Sequence, residues 1–310
     1  MANKFGIHVS NEPIDYADLD RMIGVGCDNY VLLHHQADYL PRLRQSTNGV
    51  ILVRYYDTKL LEKNPVEFAG EVATEAFKYE PYTHHLVFDN ELNLDYEGGQ
   101  NYDNVQYVAK WKTIVAAELK RLCPWLQIHA GPFAPVADWW NYFVAMLAYQ
   151  DSYDIIDVHA YGTFRKMKAI VEAVKSQTNK PLFISECNGP GTLEFMRWAQ
   201  SQPYVLAACY FIWHWHNPDM PEWDKDLRSS ALETQIKEIV KEDTVMGLVE
   251  QFPAQFEEWE AAGGIENNFR SHLLAVGALQ PTKADLLGLI DEAKSKNEQV
   301  RLVAQALPLA

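Results

Sequence analysis

The sequence has little of what marks several function classes. Its four cysteines, Cys27, Cys123, Cys187 and Cys209, include no CxxC pair. A disulfide framework or a zinc or redox motif therefore does not organise it, and four reduced thiols in a cytoplasmic protein are expected. No apolar run approaches the ~18 residues of a membrane span. Met1-Ala2-Asn3-Lys4 leads straight into a strand-like stretch, without the charged and apolar regions of a signal peptide. Basic charge is scarce: 27 Lys and Arg against 42 Asp and Glu leave −15 at pH 7. Such a chain repels phosphates, so neither nucleic acid nor a membrane is expected as a partner. No GxGxxG turn follows the first strand-like run, which removes the usual dinucleotide cradle.

What is present is globular. The chain has 310 residues, 48% of them apolar, enough for a barrel of ~250 residues and a smaller appendage. Eight short apolar runs read as strands: 4–10, 30–35, 50–56, 84–90, 126–130, 155–161, 181–187 and 208–215. Near-continuous apolar runs, rather than strict alternation, mark strands buried on both faces of a parallel sheet. Between them lie segments of helical period, clearest at 66–79 and 105–122, with 136–149, 164–176, 193–200 and 231–241 following. Thr192 is expected to cap the helix after it, and Gly24 and Gly26 to stop the first one. Strand–helix alternation on this scale predicts an α/β fold, a (β/α)8 TIM barrel over residues 1–243. Residues 244–310 read as a helical C-terminal region, with helices at 244–262, 265–277 and 282–306 and a capping-box variant at Thr282-Lys283-Ala284-Asp285.

A barrel of this kind builds its site at the C-terminal ends of its strands. There the fourth run delivers Asp89-Asn90-Glu91-Leu92-Asn93 and the seventh Ser185-Glu186-Cys187-Asn188. The third ends in Arg54, Tyr55 and Tyr56, the sixth carries Asp157, His159 and Tyr161, and the eighth ends in Trp213-His214-Trp215-His216. Polar groups gathered at one end of apolar elements are costly unless they serve a site. Two carboxyls on facing strands suit cleavage of a glycosidic bond: one protonates the leaving oxygen, and the other meets the anomeric carbon.

These strand ends resemble those of clan A of the glycoside hydrolases, the four-over-seven barrels. Asn90-Glu91 matches the Asn-Glu of that clan's fourth strand, and Phe183-Ile184-Ser185-Glu186 the stretch ending in its seventh-strand Glu. The resemblance implies a retaining mechanism on a β-glycoside, with Glu91 as acid/base and Glu186 as nucleophile. It further implies that Asn90 contacts the sugar 2-hydroxyl, that Tyr161 hydrogen-bonds the nucleophile, and that Trp213 or Trp215 floors the sugar subsite. Arg54 is the best match to the clan's active-site arginine, and His159 is a further candidate for contact with the substrate. Leu92 stands where many members have proline. The implied partner is an oligo- or polysaccharide, and no cofactor is implied.

Trp139, Trp140 and Trp223 also fall where a cleft is expected, although Trp139 and Trp140 suit core or groove wall as well. Two other readings stand beside the glycosidase. A metal-dependent hydrolase would want His-x-His on the first strand, where only His8 stands, while His214-Trp215-His216 has that spacing on the eighth. A non-catalytic glycan-binding barrel is the other, and both carboxylates being present gives it no support.

Overall fold

The structure, a computed structural model, describes residues 3–136, 138–215 and 226–251. Eight parallel strands close into a barrel in sequence order. They are β1 (Phe5–His8), β2 (Asn29–Leu33), β3 (Ile51–Arg54), β4 (His85–Val87), β5 (Gln127–Ala130), β6 (Ile155–Tyr161), β7 (Leu182–Asn188) and β8 (Val205–Tyr210). Closure comes where β1 pairs with β8, Ile7 opposite Tyr210. The expected (β/α)8 architecture is therefore the observed one.

The helices are α1 (Tyr16–Ile23), α2 (Leu40–Ser46), α3 (Pro65–Tyr79), α4 (Asp95–Gly98), α5 (Val105–Leu122), α6 (Trp139–Leu147), α7 (Phe164–Lys175), α8 (Thr192–Ser201) and α9 (Ala231–Gln251). Local chemistry sets their starts. Asn64 accepts from the backbone N–H groups of Val66 and Glu67, with Pro65 behind it at the first helical position. Asn104 accepts from Tyr107 N and Thr163 from Lys166 N. Thr192 corrects the expectation: it is the first helical residue, and its hydroxyl donates to Gly189 O at 2.6 Å. Gly191 takes the cap position with φ +90°, a left-handed conformation that glycine adopts without strain. Gly24 does cap α1.

Val31, Leu52, Val87, Ile155, Phe183, Ala207 and Cys209 form one buried cluster of strand side chains. Residues 2–235 make a compact unit. Helix α9 runs through residue 243, the boundary expected from the sequence, and from Ile236 it belongs to a second unit. The helices expected at 265–277 and 282–306, the capping box at 282–285, most of the 244–262 helix, His216 and Trp223 lie outside the described residues. No described helix is long and apolar enough to cross a membrane.

One irregularity matters for the site. Asp157 of β6 pairs with Phe183 of β7, but His159 pairs with Glu186. Strand β7 thus spends two residues, Ile184 and Ser185, where β6 spends one. This is a β-bulge immediately before Glu186. Asp157 holds it, its Oδ1 accepting from Ser185 N at 3.1 Å and from Val158 N at 2.8 Å.

Candidate active site

Glu186 is 4% exposed and sits in a cage of donors. Arg54, at the end of β3, donates from Nη1 to Glu186 Oε1 and from Nη2 to Ser185 Oγ at 2.9 Å. Successive side chains of a regular strand point to opposite faces. The bulge is what lets Ser185 and Glu186 both reach one guanidinium. Tyr161 donates its hydroxyl to Glu186 Oε2, and His8 Nε2 lies 3.9 Å from Oε1. Burial alone would raise this carboxyl, but His159 and Arg54 outweigh it and hold the group at about 2. Glu186 is thus ionised throughout the neutral range.

His159 lies between the two predicted carboxylates. Its Nδ1 is 2.7 Å from Glu91 Oε1 and its Nε2 3.4 Å from Glu186 Oε1. Arg54 Nη2 approaches the same Nε2 at 3.1 Å. The ring is 1% exposed. Burial disfavours its charged form, but the flanking Glu186 and Glu91 prevail and raise it. By contrast His8, also buried, falls to about 3 through burial and then the Arg54 charge, so it stays neutral.

Asn90-Glu91 is pinned from three sides. Just before it, Asp89 meets Lys112 of α5 at 2.7 Å, both side chains fully buried. Lys112 also donates to Gly131 O at 2.9 Å, beyond the end of β5. Just after it, Asn93 accepts from Ala134 N at 2.9 Å and donates to Ala134 O at 3.1 Å. From α4, Glu97 accepts from Asn90 Nδ2 at 3.0 Å. Glu91 itself has φ +35°, a conformation that costs a non-glycine residue about 1–3 kcal/mol and is kept only where neighbours over-determine it.

The predicted residues Arg54, Glu91, His159, Tyr161 and Glu186 therefore form one connected network, with Asn90 at its edge. Trp213 does not join them. Strand β8 ends at Tyr210, earlier than its apolar run suggested, and the chain beyond it is drawn towards β1, with Trp213 N donating to His8 O at 2.9 Å. The Trp213 ring is 0% exposed, with the Arg21 guanidinium of α1 5.9 Å from its centroid. It is packing and offers no face to a sugar. Of the aromatic residues after β8, Phe211 packs on two of the groups around Glu186, 6.2 Å from Tyr161 and 5.1 Å from His8, and half-buried Trp215 lies 6.0 Å from Phe211. Trp139 and Trp140 pack edge-on at the start of α6, 5.3 Å apart.

Sequence reasoning missed four residues here. His8 was visible as a strand histidine, and Ser185 as the neighbour of Glu186. Phe211 was hidden by the misplaced end of β8. Glu97 had no signal, because a charge in Asp95-Tyr96-Glu97 reads as solvated. It is 4% exposed. Burial raises its carboxyl to about 7, the Asn90 amide opposing and the Glu91 charge adding. The sign for stability follows: an acid raised on folding lends its full stability below its unfolded value near 4.5 and loses it as pH rises through about 7. Glu97→Gln is expected to match the wild type in urea unfolding at pH 4.5, and to exceed it at pH 8.5 by about 1–3 kcal/mol. Equal stabilities at both pH values would contradict the raised carboxyl.

No protein-family model matches the chain, and no curated protein is similar to it. Solved structures do match its shape. One is a GH128 (subgroup II) endo-β-1,3-glucanase from Sorangium cellulosum, at TM-score 0.54 and 17% identity, covering 76% of this chain and 97% of that one. A GH128 (subgroup I) endo-β-1,3-glucanase from Amycolatopsis mediterranei, solved with laminaritriose, matches at TM-score 0.54 and 12% identity, over 76% and 99% of the two chains. A monomeric β-xylosidase from Caulobacter crescentus matches at TM-score 0.52 and 12% identity, over 68% of this chain and 60% of its own. At such identities the likeness is one of fold, and the chain has the (β/α)8 barrel fold of these glycoside hydrolases.

Proposed function

We propose that the chain is a retaining glycoside hydrolase that cleaves a β-glycosidic bond, with Glu186 as nucleophile and Glu91 as acid/base. The observation that carries this is the placing of the two carboxylates on either side of one imidazole, His159, with Arg54 and Tyr161 gripping only Glu186. The grip makes the two groups unequal. Glu186 stays ionised and can attack the anomeric carbon. Glu91, less buried and bonded to a titratable ring, can exchange a proton with the leaving oxygen and later with water. Asn90 contacts a sugar hydroxyl, and Trp215 with Phe211 forms the apolar wall of the subsite. The chemistry is assigned to residues 1–243, and residues 244–310 stand outside it.

The substrate class we infer is a β-linked oligo- or polysaccharide, with β-1,3-glucan first among those to try, since two structures of matching shape are endo-β-1,3-glucanases. The test is a rate survey over 4-nitrophenyl β-glycosides, laminarin and xylan, with product configuration followed by NMR. Turnover with retained configuration is expected. An inverted product would replace double displacement by direct attack of water, and no turnover beside measurable laminarin binding would favour a glycan-binding barrel. Because every proposed step is a carboxyl displacement or a proton transfer, activity is expected to survive prolonged EDTA treatment. Loss that added Zn²⁺ restores would pass the roles to the histidines.

A further inference from the structure

The carboxyl of Glu97 is unused by that chemistry, yet it faces it. Its Oε1 accepts from Asn90 Nδ2 at 3.0 Å. Its Oε2 is buried and has no hydrogen-bond partner among the described residues, and neither has Asn90 Oδ1. Buried polar atoms are usually paired, so two orphans on one bonded pair call for a reason. The charged and titratable groups that sense Glu97 are Glu91, Glu186, Arg54, Tyr56 and Tyr96, most of them the rim already described. Glu97 rides on α4, a single turn closed by Gly98 N donating to Leu94 O at 2.8 Å, while Leu94 N donates in turn to Glu91 O at 2.9 Å. The turn that carries Glu97 is thus bonded to the backbone of Glu91.

A primary amide can present either its nitrogen or its oxygen to a ligand, and two-fold rotation about the terminal torsion exchanges them. Binding Nδ2 removes that ambiguity. We propose that Glu97 is a positioning residue: it fixes the Asn90 amide through Nδ2, so that the amide oxygen is the atom offered to a hydroxyl of the substrate. The carboxyl burial that keeps Glu97 neutral below about pH 7 fits this role, because a neutral acid accepts from Nδ2 without adding a third negative charge beside Glu91 and Glu186. The inference rests on the glycosidase reading.

The experiment is a double-mutant cycle on the 4-nitrophenyl β-glycoside that the wild type turns over best. Asn90→Ala is expected to lower kcat/KM by about 10–100-fold, the loss of a hydrogen bond strengthened in the transition state. Glu97→Met, of similar length but with only a weakly accepting thioether in place of the carboxyl, is expected to cost about tenfold, mostly in kcat. In the Asn90→Ala background it is expected to cost less than about twofold, because the group it positions is gone. Glu97→Gln keeps an accepting oxygen and is expected to stay within about threefold of the wild type at pH 6. It is also expected to remove any activity loss that the wild type shows as pH rises through about 7.

Equal losses from Glu97→Met in both backgrounds would make its role general support of the loop and overturn the proposal. So would a Glu97→Gln variant as poor as Glu97→Met. If Glu97→Met does not fold, the same cycle with Glu97→Ala decides between these outcomes. Glu186→Ala, run alongside, separates this from the glycosidase reading. If it leaves the rate unchanged, that reading fails and the proposal with it. If it abolishes the rate while the cycle is additive, only the positioning role fails.

Discussion

Glu186→Ala is expected to abolish turnover of every glycoside, whatever its leaving group, with a loss on the order of 10⁵-fold. The reason is the role of the group. On the proposed mechanism no neighbour can replace the nucleophile, whose carboxylate Arg54 and Tyr161 hold in place. Glu91→Ala is expected to behave differently. A substrate with an acidic phenol as leaving group needs little protonation, so its first step survives, and the glycosyl-enzyme accumulates because no base activates water. Azide needs no base, and is expected to restore turnover with a product of retained configuration. The measurement is the rate of both variants with and without azide, with circular dichroism as a control for folding. An inverted azide from Glu91→Ala would exchange the two roles, and unaffected rates in both variants would end the carboxylate argument.

The second large effect concerns stability. Lys112→Met is expected to destabilise the barrel by about 3–5 kcal/mol, because it leaves Asp89 buried without its charge partner. Asp89 is fully buried, and burial pushes its carboxyl up even with Lys112 pulling it down. Adding Asp89→Asn removes the orphaned charge, so the double variant is expected to recover much of the loss. Guanidinium unfolding of the two variants at neutral pH measures this. A single-variant cost below about 1 kcal/mol would show that the pair contributes little, as exposed pairs do. Activity is expected to fall with stability, since Asp89 directly precedes Asn90-Glu91.

Much of this was readable in advance, for physical reasons that differ from residue to residue. Buried parallel strands need apolar side chains on both faces, so the eight runs stood out, and β6 was found at its observed ends, Ile155 and Tyr161. Glu91, His159 and Glu186 could be placed at one rim because strand order alone brings β4, β6 and β7 there. Ladder ends were harder to see. The aromatic residues after Tyr210 are as apolar as a strand, but they leave the sheet, and Trp213 goes with them into packing. Glu97 could not be seen at all, because burial of a charged loop residue is decided by tertiary neighbours. Neither could Gly191, whose φ of +90° moved a cap by one position.

The extra residue in β7 bears on engineering. A designer who transplants Glu186 onto another barrel by counting positions along a regular seventh strand would aim its carboxylate at the surrounding helices, one pleat out of phase. Deleting Ile184 from this chain would make the ladder regular with Glu186 still opposite His159, but would turn Ser185 to the other face and away from Arg54. The transferable unit is therefore the dipeptide Ser185-Glu186 together with Asp157, whose Oδ1 accepts the Ser185 amide, rather than the glutamate alone.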